Sequence, residues 1–447
     1  MVRRSMRVAF AAIATAAGAS APLQAAPPPA PPVSVASLDA RAAVAEVRRL
    51  IAENYVLPEK RAAIDAALAA ALAAGRYDVA DPQLLATRIN EDLTVAARDK
   101  HLGISFDPAE AQQVGAHQDD HSHDGPAFER MAQVRNHGLT EMKVLEGNVR
   151  YLAVDGFVWT GAKTAEAYDT AMRFLKGGDA AIIDIRRNGG GSPLAVQYLI
   201  SHFLEPDRHI VTFHMGGKAE ADRLSSLKDL PAGRLTEKPL YVLASGNSAS
   251  AAEEFAGHIH GFKAGELVGE TTAGAGFRNS AYAVPGGFVL SVSVGRAVLA
   301  STGKDWEGVG IPPHVKVAPE RALDVAHARA VKALAAGADG IEKPLFEGLA
   351  AVLAAKAERV APALPLAAYA GLFGERTVSV ENGRLYFQRA GGPKTGLVPL
   401  GANLFAFDDG DPLSRVSFAV AGNAASKLEI VRGDGSRVSS ERTGEAP

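Results

Sequence analysis

The chain of 447 residues contains no cysteine. That absence excludes disulfides, a thiol nucleophile and thiolate metal sites, and it leaves the redox compartment open. Net charge is also scarce. The 47 Lys and Arg against 50 Asp and Glu leave −3, so nothing in the balance points to nucleic acid or an anionic membrane surface. Past the N-terminus no segment holds about 18 uninterrupted apolar residues, which excludes a membrane-spanning helix in the mature chain. No repeat of fixed period is present. What is abundant is apolar residues, 47% of the chain, ample for a core. The length suits one large domain or two to three ordinary ones.

The basic start Arg3, Arg4 and Arg7, the small apolar stretch from Val8 to Ala19, and Leu23-Gln-Ala25 follow the three-part pattern of a secretory signal peptide. The sequence therefore predicts a signal over residues 1–25, an exported protein (periplasmic or secreted) and a Pro-rich linker over 26–37. Residues 38–100 predict a helical N-terminal domain. Ala43 to Ile51 and Ala62 to Ala73 suit amphipathic helices, and Asp81-Pro82 is a helix-start signal before Leu84 to Ala97. Asp99-Lys-His-Leu-Gly-Ile-Ser-Phe106 then leads through His101 into a short apolar alternation. The polar stretch that follows carries His117, His121 and His123 beside Asp119, Asp120 and Asp124. Its composition reads as a solvated loop, with metal ligation as the alternative.

From Val149 the pattern is α/β. Ala180-Ala-Ile-Ile-Asp-Ile185 is a continuous apolar run, as for a central parallel strand, and ends in Arg186-Arg-Asn-Gly-Gly-Gly-Ser-Pro193 before a helix. That glycine run is either a plain tight turn or a loop exposing N–H donors. No Lys-Ser/Thr follows it, so it is not a P-loop. Leu240-Tyr-Val-Leu-Ala-Ser245 reads as a buried strand running through Gly246-Asn-Ser-Ala-Ser250 into a helix-forming stretch. Ser250 there is either an N-cap or a hydroxyl nucleophile presented where unpaired N–H groups favour an anion. His258 and His260, two turns or more along that helix, belong on the surface. Leu267 to Gly276 is a strand entering a second Gly-rich loop, Ala281 to Arg296 a hairpin around Pro285-Gly-Gly, and Asp305 to His314 a turn carrying Glu307. After a helix from Phe346 to Ala361, short alternating strands predict a small antiparallel β domain within residues 341–447.

Asp184-Ile-Arg-Arg-Asn-Gly-Gly-Gly191, Ser248-Ala-Ser-Ala-Ala-Glu-Glu-Phe-Ala256, Val268-Gly-Glu-Thr-Thr-Ala-Gly274 and Trp306-Glu-Gly-Val-Gly-Ile-Pro-Pro313 stand in the order of motifs of the carboxy-terminal-processing (tail-specific) serine peptidases. The resemblance spans roughly Leu38 to Ala336 and implies a mixed sheet with helices, similar to the crotonase and Clp protease cores, over residues 101–340. The family's general-base Lys sits between two glycines. Here that stretch is Gly274-Ala-Gly276, so Ala275 replaces it, and Lys263 does not substitute. There is also no room for the family's PDZ insertion between His101 and Val149. The chain instead resembles the branch of tricorn core proteases and interphotoreceptor retinoid-binding protein modules. That resemblance implies Ser250 as nucleophile, His101 as general base, Glu307 in the orienting chain, and the N–H groups of Ala251 and Gly190 as the oxyanion hole, with Gly191 the other candidate. It implies a peptidase needing neither metal nor cofactor and acting on peptides or unfolded protein. The rival expectation is a non-catalytic binder of an apolar, retinoid- or lipid-like molecule on the same scaffold.

Overall fold

The computed structural model describes residues 38–116, 125–216 and 221–445. The expected signal peptide, the Pro-rich linker and the histidine-rich stretch 117–124 lie outside them.

Three helices come first: α1 (Ala40–Asn54), α2 (Pro58–Ala73) and α3 (Pro82–Ala97). Asp39 and Asp81 cap α1 and α3 through the N–H groups of Ala42 and Gln83, and proline opens α2 and α3. The apolar stripe of these helices buries Val47, Ile51, Ile64, Leu68, Ile89 and Leu93. The sequence predicts a helical domain over residues 38–100, and in the structure the apolar stripe of its helices is not closed among the helices alone. Their stripe shares one cluster with Ile104, Phe288, Leu290 and Val292, which belong to strands far along the chain. The amphipathic pattern had shown the stripe but could not show what covers it.

The middle of the chain contributes β1 (Gly103–Phe106), α4 (Pro108–Ala116), α5 (Pro126–Val134), β2 (Leu139–Leu145), β3 (Val149–Val154), α6 (Ala162–Lys176), β4 (Ala180–Asp184), α7 (Pro193–Ser201), β5 (His209–Met215) and β6 (Asp222–Ser225). It continues with β7 (Leu240–Ala244), α8 (Ala251–Phe262), β8 (Glu266–Gly269), β9 (Phe277–Val284), β10 (Phe288–Leu299), β11 (Val315–Lys316), α9 (Ala322–Gly337) and α10 (Glu342–Glu358). A mixed sheet runs β11-β8-β7-β4-β3-β2, parallel except for the antiparallel edge strand β2. All residues of β4 and β7 are buried. Alternation sends Ile183 and Val242 to the face covered by α6, α7 and α8, and Ile182 and Leu243 to the face covered by α9 and α10. That two-sided burial is why these strands read as unbroken apolar runs.

A second, antiparallel sheet runs β1-β10-β5-β6, with β9 also on β10. The long strand β10 serves two cores. Its Phe288, Leu290 and Val292 pack under α1–α3, while Ala297 and Leu299 join the cluster of α8.

The C-terminal strands are β12 (Gly371–Phe373), β13 (Arg376–Glu381), β14 (Arg384–Arg389), β15 (Lys394–Gly401), β16 (Leu404–Phe407), β17 (Arg415–Ala421), β18 (Ala424–Val431) and β19 (Arg437–Glu441). Each pairs antiparallel with the next. The ends meet: Leu372 N–H donates to Gly444 O at 2.9 Å, and Thr443 N–H to Leu372 O at 2.8 Å. The meander is thus a near-closed barrel filled by Tyr369, Phe373, Phe405 and Phe418 in edge-on contacts.

Phe288 is fully buried where the N-terminal helices meet β10. Phe288→Ala is expected to lower the unfolding free energy by about 3–5 kcal/mol in urea titration. A loss below about 1 kcal/mol would show that the helices and strand do not share a core.

Candidate functional site

Strand β7 delivers the chain to a turn built from serines. Ser245 Oγ donates to Arg186 O at 2.7 Å and accepts the Asn247 N–H. Ser248 Oγ donates to Ile185 O at 2.8 Å and accepts the Ser245 N–H. Ser248 is wholly buried, so its hydroxyl staples the turn to the strand beside it. Ser250 follows with φ 55° and ψ −118°, immediately before α8. A non-glycine residue in that region carries of order 1–3 kcal/mol of strain and persists only where its surroundings hold it.

Glu253 does the holding. Its fully buried carboxylate accepts the Ser250 N–H at 3.0 Å, the Thr272 hydroxyl at 2.6 Å, and the N–H groups of Gly274 and Ala275 at 2.6 and 2.7 Å. One side chain thereby joins the start of α8 to the second Gly-rich loop. The sequence analysis did not single out Glu253. The signal was available in Ser250-x-x-Glu253, the spacing of a capping box.

The triple-glycine turn lies against the same serine. Gly190 has φ +115°, and a Cβ there would sit 2.8 Å from Ser250 Cβ and 3.0 Å from Ala249 O. Its N–H donates to Asn188 Oδ1 at 2.8 Å and so is already committed. Among the described residues, the N–H groups of Ala251 and Gly191 have no acceptor. Ala251 opens α8, so its free N–H points with the helix N-terminus.

His101 follows α3 in an Asp turn: Asp99 Oδ1 accepts its N–H at 2.8 Å, and Ser291 of β10 donates to its carbonyl at 2.6 Å. Its Nδ1 is buried without a hydrogen-bond partner. Burial holds the imidazole below its ordinary range, against the opposing pull of Asp99 and Glu253, so it is neutral at pH 7 and able to accept a proton. Glu307 accepts the N–H groups of Gly276 and Phe277 on Oε2 at 2.6 and 3.1 Å, while Oε1 is buried and unpartnered. Burial pushes its carboxyl up to about 7, with Asp99 and Glu253 adding to the rise and the two N–H groups opposing it. Gly276 is obligatory here, because a Cβ would lie 2.6 Å from Glu307 N.

Ser250, His101 and Glu307 thus surround one pair of carboxylates: Glu253 bonds Ser250, and Asp99 and Glu253 act on both His101 and Glu307. No hydrogen bond joins Ser250 to His101, or His101 to Glu307, among the described residues. Sequence reasoning also missed Tyr55, buried at the end of α1 with an unpartnered hydroxyl, and raised by burial and then by Asp99 beside it. No local signal marks it. Ala275 is buried, its carbonyl taken by Trp306 Nε1 at 3.1 Å. Lys100, from the histidine loop, donates to Ala273 O, whereas Lys263 caps the far end of α8. His258, expected at the surface, is fully buried with Nε2 3.4 Å from Glu254 Oε1, because it faces the core two turns along α8. His260 stacks on His314 at 4.4 Å. Among the described residues no cluster of His, Asp or Glu is arranged to hold a metal, and no helix is long and apolar enough to cross a membrane.

Residues 148–317 match the model of peptidase family S41, and residues 36–139 match the N-terminal domain of Peptidase_S41 in eukaryotic IRBP. The chain is 29% identical over 180 residues to the carboxy-terminal processing protease CtpA of Bacillus subtilis, covering 40% of this chain and 36% of that protein. It is 31% identical over 148 residues to a carboxyl-terminal-processing protease of a Picosynechococcus species, covering 33% and 34%. The chain therefore spans only about a third of the length of these curated relatives. A solved photosystem II D1 C-terminal processing protease aligns over 63% of this chain and 94% of its own, at 17% identity and a TM-score of 0.42.

The position of Glu307 fixes a pH dependence. Between its ordinary 4.5 and about 7, the folded chain keeps a proton that the unfolded chain has released. Its contribution to stability therefore falls as pH rises through that window and is level above it. Glu307→Gln should melt higher than the parent at pH 8 and close to it at pH 4. A difference in melting temperature that is the same at both pH values would contradict the burial of an ionisable Glu307.

Proposed function

The chain belongs to peptidase family S41, and from that premise we propose that it is an exported serine peptidase working through an acyl-enzyme at Ser250. The observation that carries the reading is Ser250 itself, held in a strained conformation at the mouth of α8 beside the uncommitted N–H of Ala251. The hydroxyl attacks the scissile carbonyl while His101 accepts its proton. The proton passes to the leaving amine, and water then hydrolyses the ester by the same route in reverse. The developing oxyanion takes the Ala251 N–H and a donor from the glycine turn. Gly191 supplies it directly, or Gly190 does after release from Asn188. Glu307 supports the imidazolium from the Trp306–Gly310 turn, and Asp99 is the leading charge acting on His101. With Ala275 buried in place of a lysine, the base comes from the histidine loop. The substrates are peptides or unfolded protein, in line with the processing role named for the relatives, and the N-terminal pattern Arg3 to Ala25 sends the chain across a membrane.

The match of residues 36–139 to a domain of eukaryotic IRBP supports a second reading, a non-catalytic binder of an apolar molecule. It predicts an inert Ser250 and quenching of Trp159 or Trp306 by added lipid.

Fluorophosphonate labelling separates the two. The folded parent should label. Ser250→Ala should abolish labelling, His101→Ala should slow it at least about a hundredfold, and Ser248→Ala should retain it while losing about 1–3 kcal/mol of stability from its two stranded partners. A folded parent that does not label at neutral pH would overturn the peptidase reading.

A further inference from the structure

The near-closed barrel β12–β19 takes no part in the site above, and its interior is not apolar throughout. Alternate residues of each strand point inward. On β13 and β14 the inward register sets Val378 opposite Phe387 and, one step nearer the end, Arg376 opposite Arg389. On β18, Ile430 lies opposite the buried Val416, and Arg432 is the next inward position. Phe407 closes β16 at the same level. All these positions lie where even-numbered strands finish and odd-numbered ones begin, so they share one mouth of the barrel. There Arg376, Phe387, Arg389, Phe407, Ile430 and Arg432, with Ser414, line a cavity of about 170 Å³.

The layer is costly for the fold. Like charges directly opposite on neighbouring strands destabilise a sheet. Arg376 is only 8% exposed, and a buried cation requires close pairing. Glu375 is shared, 3.4 Å from Arg376 and 3.0 Å from Arg389. Arg376 also donates to Ser440 Oγ at 3.0 Å. Arg432 meets the Ser436 hydroxyl at 3.2 Å, with Asp434 nearby on an exposed turn. Three arginines therefore line the cavity, Arg376 buried and Arg389 and Arg432 exposed at its rim; Glu375 pairs with the first two, and Ser414, also in the lining, donates to Asp411 at 2.8 Å. Beneath them Phe387 and Phe407 meet edge to face at 5.4 Å and, with Ile430, give the cavity an apolar floor.

We propose that this mouth binds a small carboxylate with an aromatic or short alkyl body. Guanidinium forks match a carboxylate in two-pronged geometry, and the aromatic pair accepts the body. The volume is close to the roughly 150 Å³ that accommodates a benzene ring. The cationic layer then persists because the ligand supplies the missing anion.

Isothermal titration calorimetry on the intact folded protein tests this with phenylpropionate as the probe. Phenylpropionate should bind saturably. Phenylpropanol, which lacks the charge, and inorganic phosphate, which lacks the body, should bind at least tenfold more weakly. The rim double variant Arg389→Gln with Arg432→Gln should fold as the parent does and lose at least tenfold in affinity. Ser250→Ala should bind like the parent, so the outcome is independent of the peptidase reading. A peptide ending in phenylalanine, compared with its C-terminal amide, separates the sources. Binding of the free acid alone would mark a chain terminus as a ligand, and binding of neither would confine the site to free small carboxylates. Absence of saturable binding, equal binding of phenylpropanol, or unchanged affinity in a folded double variant would overturn the proposal.

Discussion

The structure around the candidate site depends on one buried carboxylate. Glu253 accepts four hydrogen bonds, from Ser250, Thr272, Gly274 and Ala275, and so fixes two loops that follow different strands of the parallel sheet. Burying a charge is tolerable only when its acceptor sites are filled and its field is favourable. Both conditions are met at the first turn of α8, where the helix dipole favours an anion. The same bonds hold Ser250 at a positive φ that it would otherwise leave. The strain at the serine and the stability of the loop are therefore one feature.

Around that anchor the site is built from groups whose ordinary charges are resisted by burial. His101 is held neutral and Glu307 is held partly protonated near pH 7. Asp99 and Glu253 act on both, which explains how a site with three carboxylates avoids accumulating three full negative charges at neutral pH. Ala275 fits this pattern. A lysine there would introduce a cation where the loop backbone is already engaged by Glu253 and by the Trp306 indole.

The parts of this arrangement that were legible in the sequence are local. The apolar runs of β4 and β7, the glycines after β4, and the serine turn before α8 are all encoded within a few residues, and their order supplied the family. What was not legible is what brings distant segments together. The amphipathic stripe of α1–α3 is plain in the sequence, but its partners Phe288, Leu290 and Val292 lie some two hundred residues later on β10. Tyr55, His258 and the inward arginines of the barrel escaped for the same reason. Periodicity shows that a residue faces a core, not which neighbours it meets there. Closure of the barrel includes two backbone hydrogen bonds between Leu372 and the segment after β19, and turn signals cannot predict such a meeting of ends.

The shared core of α1–α3 and β10 gives the N-terminal helices a role in the site and not only in the fold. His101 is carried by the loop between α3 and β1, and β1 is held by its pairing with β10 from Gly103 to Phe106. Ser291 of β10 fixes the His101 carbonyl, and Tyr55 at the end of α1 sits beside Asp99. His101 comes from beside a different sheet than Ser250, so its position relative to Ser250 is only as well defined as the packing of the helices on β10. Loosening that packing would move His101 before it disturbed the parallel sheet. The helical region is therefore a structural component of the candidate site.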